Sequence, residues 1–168
     1  MMEKESKNFN TIFTFLDSVL DKTVSYAHHI DNQIQILVGI SSAVFVFAAT
    51  QFSEKGDLFL LVLATFSIIS AIVALLAIHP PRFMRKRGQP ESIMYDKQII
   101  SFSSSQNYTQ EILKVIENPN KILQQYATEI FNLSKYYYRP KKTLFRIART
   151  IFLSGFILSA LIFILERF

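Results

Sequence analysis

Three long runs free of ionisable side chains constrain this chain more than any other feature. They are Ile34–Phe52, Leu58–Ile78 and Thr150–Leu165, of 19, 21 and 16 residues. A helix rises about 1.5 Å per residue, so roughly 20 apolar residues cross a hydrocarbon core about 30 Å thick. The second run holds 14 Leu, Ile, Val or Phe residues among its 21. At about −0.3 to −0.6 kcal/mol each near the bilayer centre, these favour insertion by about 4–8 kcal/mol. The third run is short, but Ile147 and Ala148 extend it, and Arg149 can carry its charge to the interface by snorkelling. The expected fold is an all-α membrane protein with three transmembrane helices and long helical cytoplasmic extensions forming a stalk or bundle.

Charge sets the expected orientation. Residues 80–149 carry 13 Lys/Arg against 5 Asp/Glu, whereas the first 33 residues carry 3 against 5. Arg82, Arg85, Lys86 and Arg87 follow the second run directly, and Lys141, Lys142, Arg146 and Arg149 precede the third. Basic residues flanking spans stay on the cytoplasmic side. The N-terminus and the central segment are therefore expected in the cytoplasm and the C-terminus outside. No signal peptide is expected in residues 1–33, where Glu3, Glu5, Asp17, Asp21 and Asp31 interrupt any apolar core. Cysteine is absent, which excludes disulfides and thiolate chemistry.

Apolar residues at Phe9, Ile12, Phe13, Leu16, Val19, Leu20, Ala27 and Ile30 recur at helical spacing, and no Gly or Pro occurs before Gly39. One helix is expected from about residue 9 to 52. The full order is an amphipathic helix over 1–33 continuous with a span over 34–52, an outer turn at 53–57, a span over 58–78, a basic helical region over 79–149 and a span over 150–165. His79-Pro80-Pro81 ends the second span, because proline lacks the donor and disfavours helix before it. Ser103–Ser105 reads as a helix start, and that helix ends at Glu117-Asn118-Pro119-Asn120. The next helix carries Ile122, Leu123, Tyr126, Ala127, Ile130, Phe131, Leu133 and Tyr137 on its apolar face and should kink or break at Pro140. The two long stripes are expected to pair as a stalk below the membrane.

No catalytic constellation is legible. The four glycines, at 39, 56, 88 and 155, form no phosphate-cradling cluster. His28 and His29 point about 100° apart on a helix and do not share a metal ion readily. No enzymatic activity, metal or cofactor is expected. Small residues four apart, Gly39 with Ala43, Ser67 with Ala71, Ser70 with Ala74 and Gly155 with Ser159, allow close helix approach in lipid. They suit contacts within one chain or between copies equally. Ser41, Ser42, Thr50 and Gln51 are candidates to line a pore made by several copies. The basic run Arg82–Arg87 suits lipid phosphate or a small anionic ligand, and Tyr136, Tyr137 and Tyr138 suit helix contacts or base stacking.

Phe15-Leu16-Asp17, the stretch Ala27-His28-His29-Ile30-Asp31 running into Ile36-Leu37-Val38-Gly39-Ile40, Ile78-His79-Pro80-Pro81, Asn107-Tyr108, Ala127–Tyr137 and Leu144-Phe145-Arg146-Ile147-Ala148 leading to Gly155 together resemble the transmembrane effectors of Pycsar anti-phage defence. The likeness covers nearly the whole length, in the order and spacing of elements. Two features depart from it: Gln33 stands where the family often has Lys, and Pro140 falls in a stretch that is usually helical. The resemblance implies an effector that senses cyclic CMP or cyclic UMP from a paired nucleotide cyclase and impairs the bacterial inner membrane. The ligand phosphate would then meet Arg82, Arg85, Lys86 or Arg87, and its base would stack on Tyr108, Tyr136 or Tyr137. The partners implied are the lipid bilayer, the cyclic nucleotide and further copies of the chain, with no nucleic acid. The alternatives are a constitutive anchor or accessory subunit of a larger complex, and a holin-like pore former.

Overall fold

A computed structural model describes residues 2–84 and 91–167, with side chains described from 11 to 166 apart from residue 82. The described elements are all helical. Helix α1, Met2–Lys55, runs unbroken for 54 residues. It extends through Ser53–Lys55, so the outer turn narrows to Gly56 and Asp57. Gly56 adopts φ +73° and donates its N–H to the Phe52 carbonyl at 2.8 Å. That is the left-handed conformation glycine tolerates at a helix end.

Helix α2, Leu58–Ile78, matches the second apolar run and stops at His79 before the two prolines. A 3₁₀ turn follows at Arg82–Met84. A short helix α3, Asp96–Ile100, precedes α4, Ser105–Ile116. Ser104 caps α4 by accepting from the Asn107 N–H, and Asn118 caps α5, Pro119–Asn132, by accepting from the Asn120 N–H. Pro119 occupies the first turn of α5, where a missing N–H costs nothing.

Pro140 does not break the chain's last helix. A π-helical segment, Leu133–Tyr138, takes up the strain just before it, and α6 runs Arg139–Arg167 with proline in its first turn. Proline clashes with the carbonyl four residues earlier in an α-helix. Here that carbonyl belongs to Tyr136, inside the wider π turn, where the α-helical spacing no longer holds.

The chain divides into two compact units, formed by the described residues within Met1–Ala27 and Lys86–Tyr138, and within His28–Arg85 and Arg139–Phe168. The second unit contains the apolar runs of the three helices long and apolar enough to cross a membrane. Its centre gathers Leu37, Ala74 and Ala148, one from each helix, with Val38, Val73, Phe145 and Phe152 around them. In the first unit the α1 residues Phe13, Leu16, Val19, Leu20 and Thr23 are half-buried at helical spacing, whereas Ile12 and Phe15 are exposed.

Candidate functional site

Polar groups form a discontinuous seam inside the span bundle. At its lower end Lys141, 4% exposed, donates to the Asp31 carboxylate at 2.6 Å. Ile30, Ile34, Ala77, Pro80 and Pro140 of the same unit are also buried. A lysine taken out of water pays a large desolvation cost, which the opposite charge offsets only when the geometry is good. Asp31 was legible as the acid just ahead of the first span, but Lys141 read only as a topology residue. Nothing local marks it as the partner, because the two lie 110 positions apart.

Higher in the bundle the Ser70 hydroxyl donates to the Ala148 carbonyl at 2.9 Å and lies 3.3 Å from the Ser41 hydroxyl. Ser70 has one proton to give, so Ser41 is the donor in the serine pair. Ser159 donates to the Phe59 carbonyl at 2.8 Å near the end that carries the Gly56–Asp57 turn. The Ser70 and Ser159 bonds join side chains to carbonyls of a neighbouring helix, where lipid offers no competing partner. The Ser67 hydroxyl is buried with no hydrogen-bond partner among the described residues.

The expected helix-contact residues separate into two groups. Ser67, Ala71, Gly155 and Ser159 are buried, as are Ser70 and Ala74. A Cβ at Gly155 would fall 2.1 Å from the Phe66 Cβ, so α2 and α6 approach as closely as glycine permits. Gly39 and Ala43 are exposed, with nothing within 4 Å of a Cβ at Gly39. Of the candidate pore residues, Ser41 is buried in the seam, Ser42 and Thr50 are exposed and Gln51 is half-buried.

The expected ligand residues fall elsewhere. Arg82 begins the 3₁₀ turn, with its side chain outside the described set, and Arg85, Lys86 and Arg87 lie outside the described residues. Tyr108, in α4, lies beside the Phe102 ring at 5.3 Å between centroids. Tyr136 meets Phe131 edge-to-face at 5.9 Å, with the Lys135 ammonium 5.4 Å from the Tyr136 ring centre. Tyr137 is 48% exposed.

A polar cluster that the periodicity did not reveal lies in the same unit. The Gln125 side chain accepts from the Ile93 N–H at 2.8 Å, and Asn132 donates to Glu91 at 3.3 Å. Burial raises the Tyr95 phenol above its ordinary value, and Asp96, Glu91 and Glu129 raise it further by repelling a phenolate. Among the described residues no group of three or more His, Cys, Asp or Glu is placed to hold a metal ion.

No curated protein and no solved structure matches the chain. A family model, the Pycsar effector protein domain, matches residues 15–166. That span takes in α1 from Phe15, both other apolar helices and all of the short helices between them, so the chain belongs to the Pycsar effector family.

Proposed function

We propose that this chain is a non-enzymatic membrane effector that responds to a cyclic pyrimidine mononucleotide, cyclic CMP or cyclic UMP, by impairing the bacterial inner membrane. Family membership supports the effector role and the class of ligand. The observation that carries the coupling is the continuity of α1, one helix from Met2 to Lys55 with no breaker before Gly39. A change at its polar end is passed along a hydrogen-bonded rod into the apolar run, rather than absorbed in a loop.

In this reading the N-terminus and the segment between the second and third spans are cytoplasmic, as the basic flanks require. Phosphate is bound by Arg82, Arg85, Lys86 or Arg87, and the base by Tyr108, Tyr136 or Tyr137. Copies of the chain associate through the exposed Gly39 and Ala43 face of α1. Ligand shifts the bundle only insofar as it binds one arrangement better than the other.

The test is membrane potential in bacteria expressing the chain with and without a pyrimidine cyclase. Depolarisation that requires an active cyclase is expected, and neutralising Arg82, Arg85 and Lys86 together should remove it without removing the protein from the membrane. An unchanged potential in both conditions would favour an anchor or accessory subunit. Depolarisation without any cyclase would favour a holin-like pore former.

A further inference from the structure

The contacts within the span bundle fix a register that places two arginines at membrane depth. Ala148 of α6 meets Ser70 of α2, and Ser159 meets Phe59. Helix α2 has 21 residues, about 31 Å of rise, which is just the thickness of a hydrocarbon core and leaves no slack. Ser70 lies about 12 Å inward from Ile78, the cytoplasmic end of that helix in the orientation given above. Arg146 and Arg149 flank Ala148 on α6, at heights of about 9 and 13 Å on the same scale. The headgroup region adds only about 5–8 Å on each side of the core. Both backbones therefore stand level with the apolar part of α2, not at its rim.

Both arginines are exposed, and neither forms an ion pair among the described residues. Arg149 rests over the Phe145 ring at 5.8 Å. With Arg139 and Lys142, also exposed, they follow spacings of three, four and three, which is one face of a helix. That face continues upward as exposed Leu153 and Phe156, the composition of a lipid-facing surface. The apolar run of α6 covers about 24 Å, and Leu165 at its far end is 79% exposed. Helix α6 is thus too short for the bilayer that α2 spans, and its short side is the cytoplasmic one.

A second copy is poorly suited to cover this stripe. Two such stripes repel, and α1 from about 3 to 15 Å on the same scale exposes Gln35, Ile36, Gly39, Ile40, Ser42 and Ala43, with no carboxylate among them. Lipid phosphate supplies the missing charge. We propose that phosphates of the cytoplasmic leaflet are drawn inward to Arg146 and Arg149, so that the bilayer is thinned along α6 and full-thickness along α2. A membrane held thin on one side of a bundle has a built-in weak point there, which gives the effector a physical route to membrane damage. The proposal rests on the spanning part of the functional reading and needs neither a ligand nor a partner copy.

The chain contains no tryptophan, so a single indole reports its own depth. Leu153→Trp places one a turn above Arg149, and Ile69→Trp places one on the exposed side of α2. Full-length protein would be reconstituted without ligand in phosphatidylcholine–phosphatidylglycerol vesicles carrying lipids brominated near the headgroup or near the chain ends. With both arginines present, the α6 indole should be quenched by the shallow bromines and the α2 indole by the deep ones. Arg146→Leu with Arg149→Leu should move the α6 indole to the deep class and leave the α2 indole unchanged, and Arg→Lys at both sites should keep it shallow. An α6 indole already deep beside the native arginines overturns the proposal. So does one shielded from both quenchers, which would mean that a second copy covers the face. Because no nucleotide is present, failure here leaves nucleotide sensing to stand or fall on the potential measurement.

Discussion

In the span bundle the buried positions are mostly small: Ala64, Ser67, Ser70, Ala71, Ala74, Ala77, Ala148, Gly155 and Ser159. Among the described residues of α4, α5 and the segment before them, the buried positions are Ser92 and Glu129, while Leu113, Ile116, Leu123 and Phe131 are exposed. The first arrangement suits lipid, where large apolar side chains gain nothing by turning inward and close backbone approach supplies dispersion and hydrogen bonds. The second suits water only in part. Its helices are capped and amphipathic, yet they leave apolar side chains uncovered, so the local caps at Ser104 and Asn118 and the longer-range bond of Gln125 to Ile93 hold much of its form. The bundle is specified by shape and the other unit by caps and polar contacts.

Gly155→Leu should attack that difference most strongly, since even its Cβ meets Phe66 at 2.1 Å. Overpacking at such a contact is expected to cost about 3 kcal/mol or more. Reversible unfolding in detergent or bicelles would measure it. Gly39→Ala, with open space around it within one chain, should instead be neutral or stabilise the monomeric bundle by about 0.5–1 kcal/mol. Equal effects at the two glycines would refute the shape argument.

Asp31→Asn or Lys141→Met should follow, at about 2–3 kcal/mol, because each strands the other group of a largely buried pair. That figure sits below the fully buried case because the Asp31 side chain is 28% exposed. The double variant should recover most of the loss, which a double-mutant cycle would read directly. Smaller again, Ser70→Ala should cost about 1 kcal/mol, within the range measured for interhelical bonds in membranes. Ser67→Ala should be neutral or slightly stabilising, since its buried hydroxyl has no hydrogen-bond partner among the described residues.

The smallest effect belongs to the other unit and depends on pH. The folded state raises the Tyr95 phenol, so the neutral form is favoured there. Its contribution is fully present below the unfolded value near 10 and is lost as pH rises through the higher folded value. Protection of the amides around Ile93 and Gln125, taken relative to intrinsic exchange at each pH, should therefore fall in that alkaline window. Tyr95→Phe should remove this part of the pH dependence.

Much of the local structure was legible from short-range chemistry. The boundaries of α2, the helix start within Ser103–Ser105, the helix end at Glu117–Asn120 and the stop at His79 each depend on a few adjacent residues. The response to Pro140 was less legible, because the same clash can be relieved by a kink, a break or the wider turn that precedes it at Leu133–Tyr138. The expected ligand residues of the basic run fall at or beyond the edge of the described segment, and the tyrosines have aromatic or solvent-facing surroundings.

Sequence by itself determined that three helices can cross a membrane, that the middle segment is basic and that cysteine chemistry is absent, because length, hydropathy and charge are properties of the chain one stretch at a time. Tertiary structure decided which small residues touch, that Lys141 answers Asp31, and that Ala148 stands against Ser70. Each of those is a register between helices, set by the side chains that two distant segments present to one another. The third apolar run ends at Arg149 in the sequence, but only its register against α2 sets that residue level with the apolar part of a second helix.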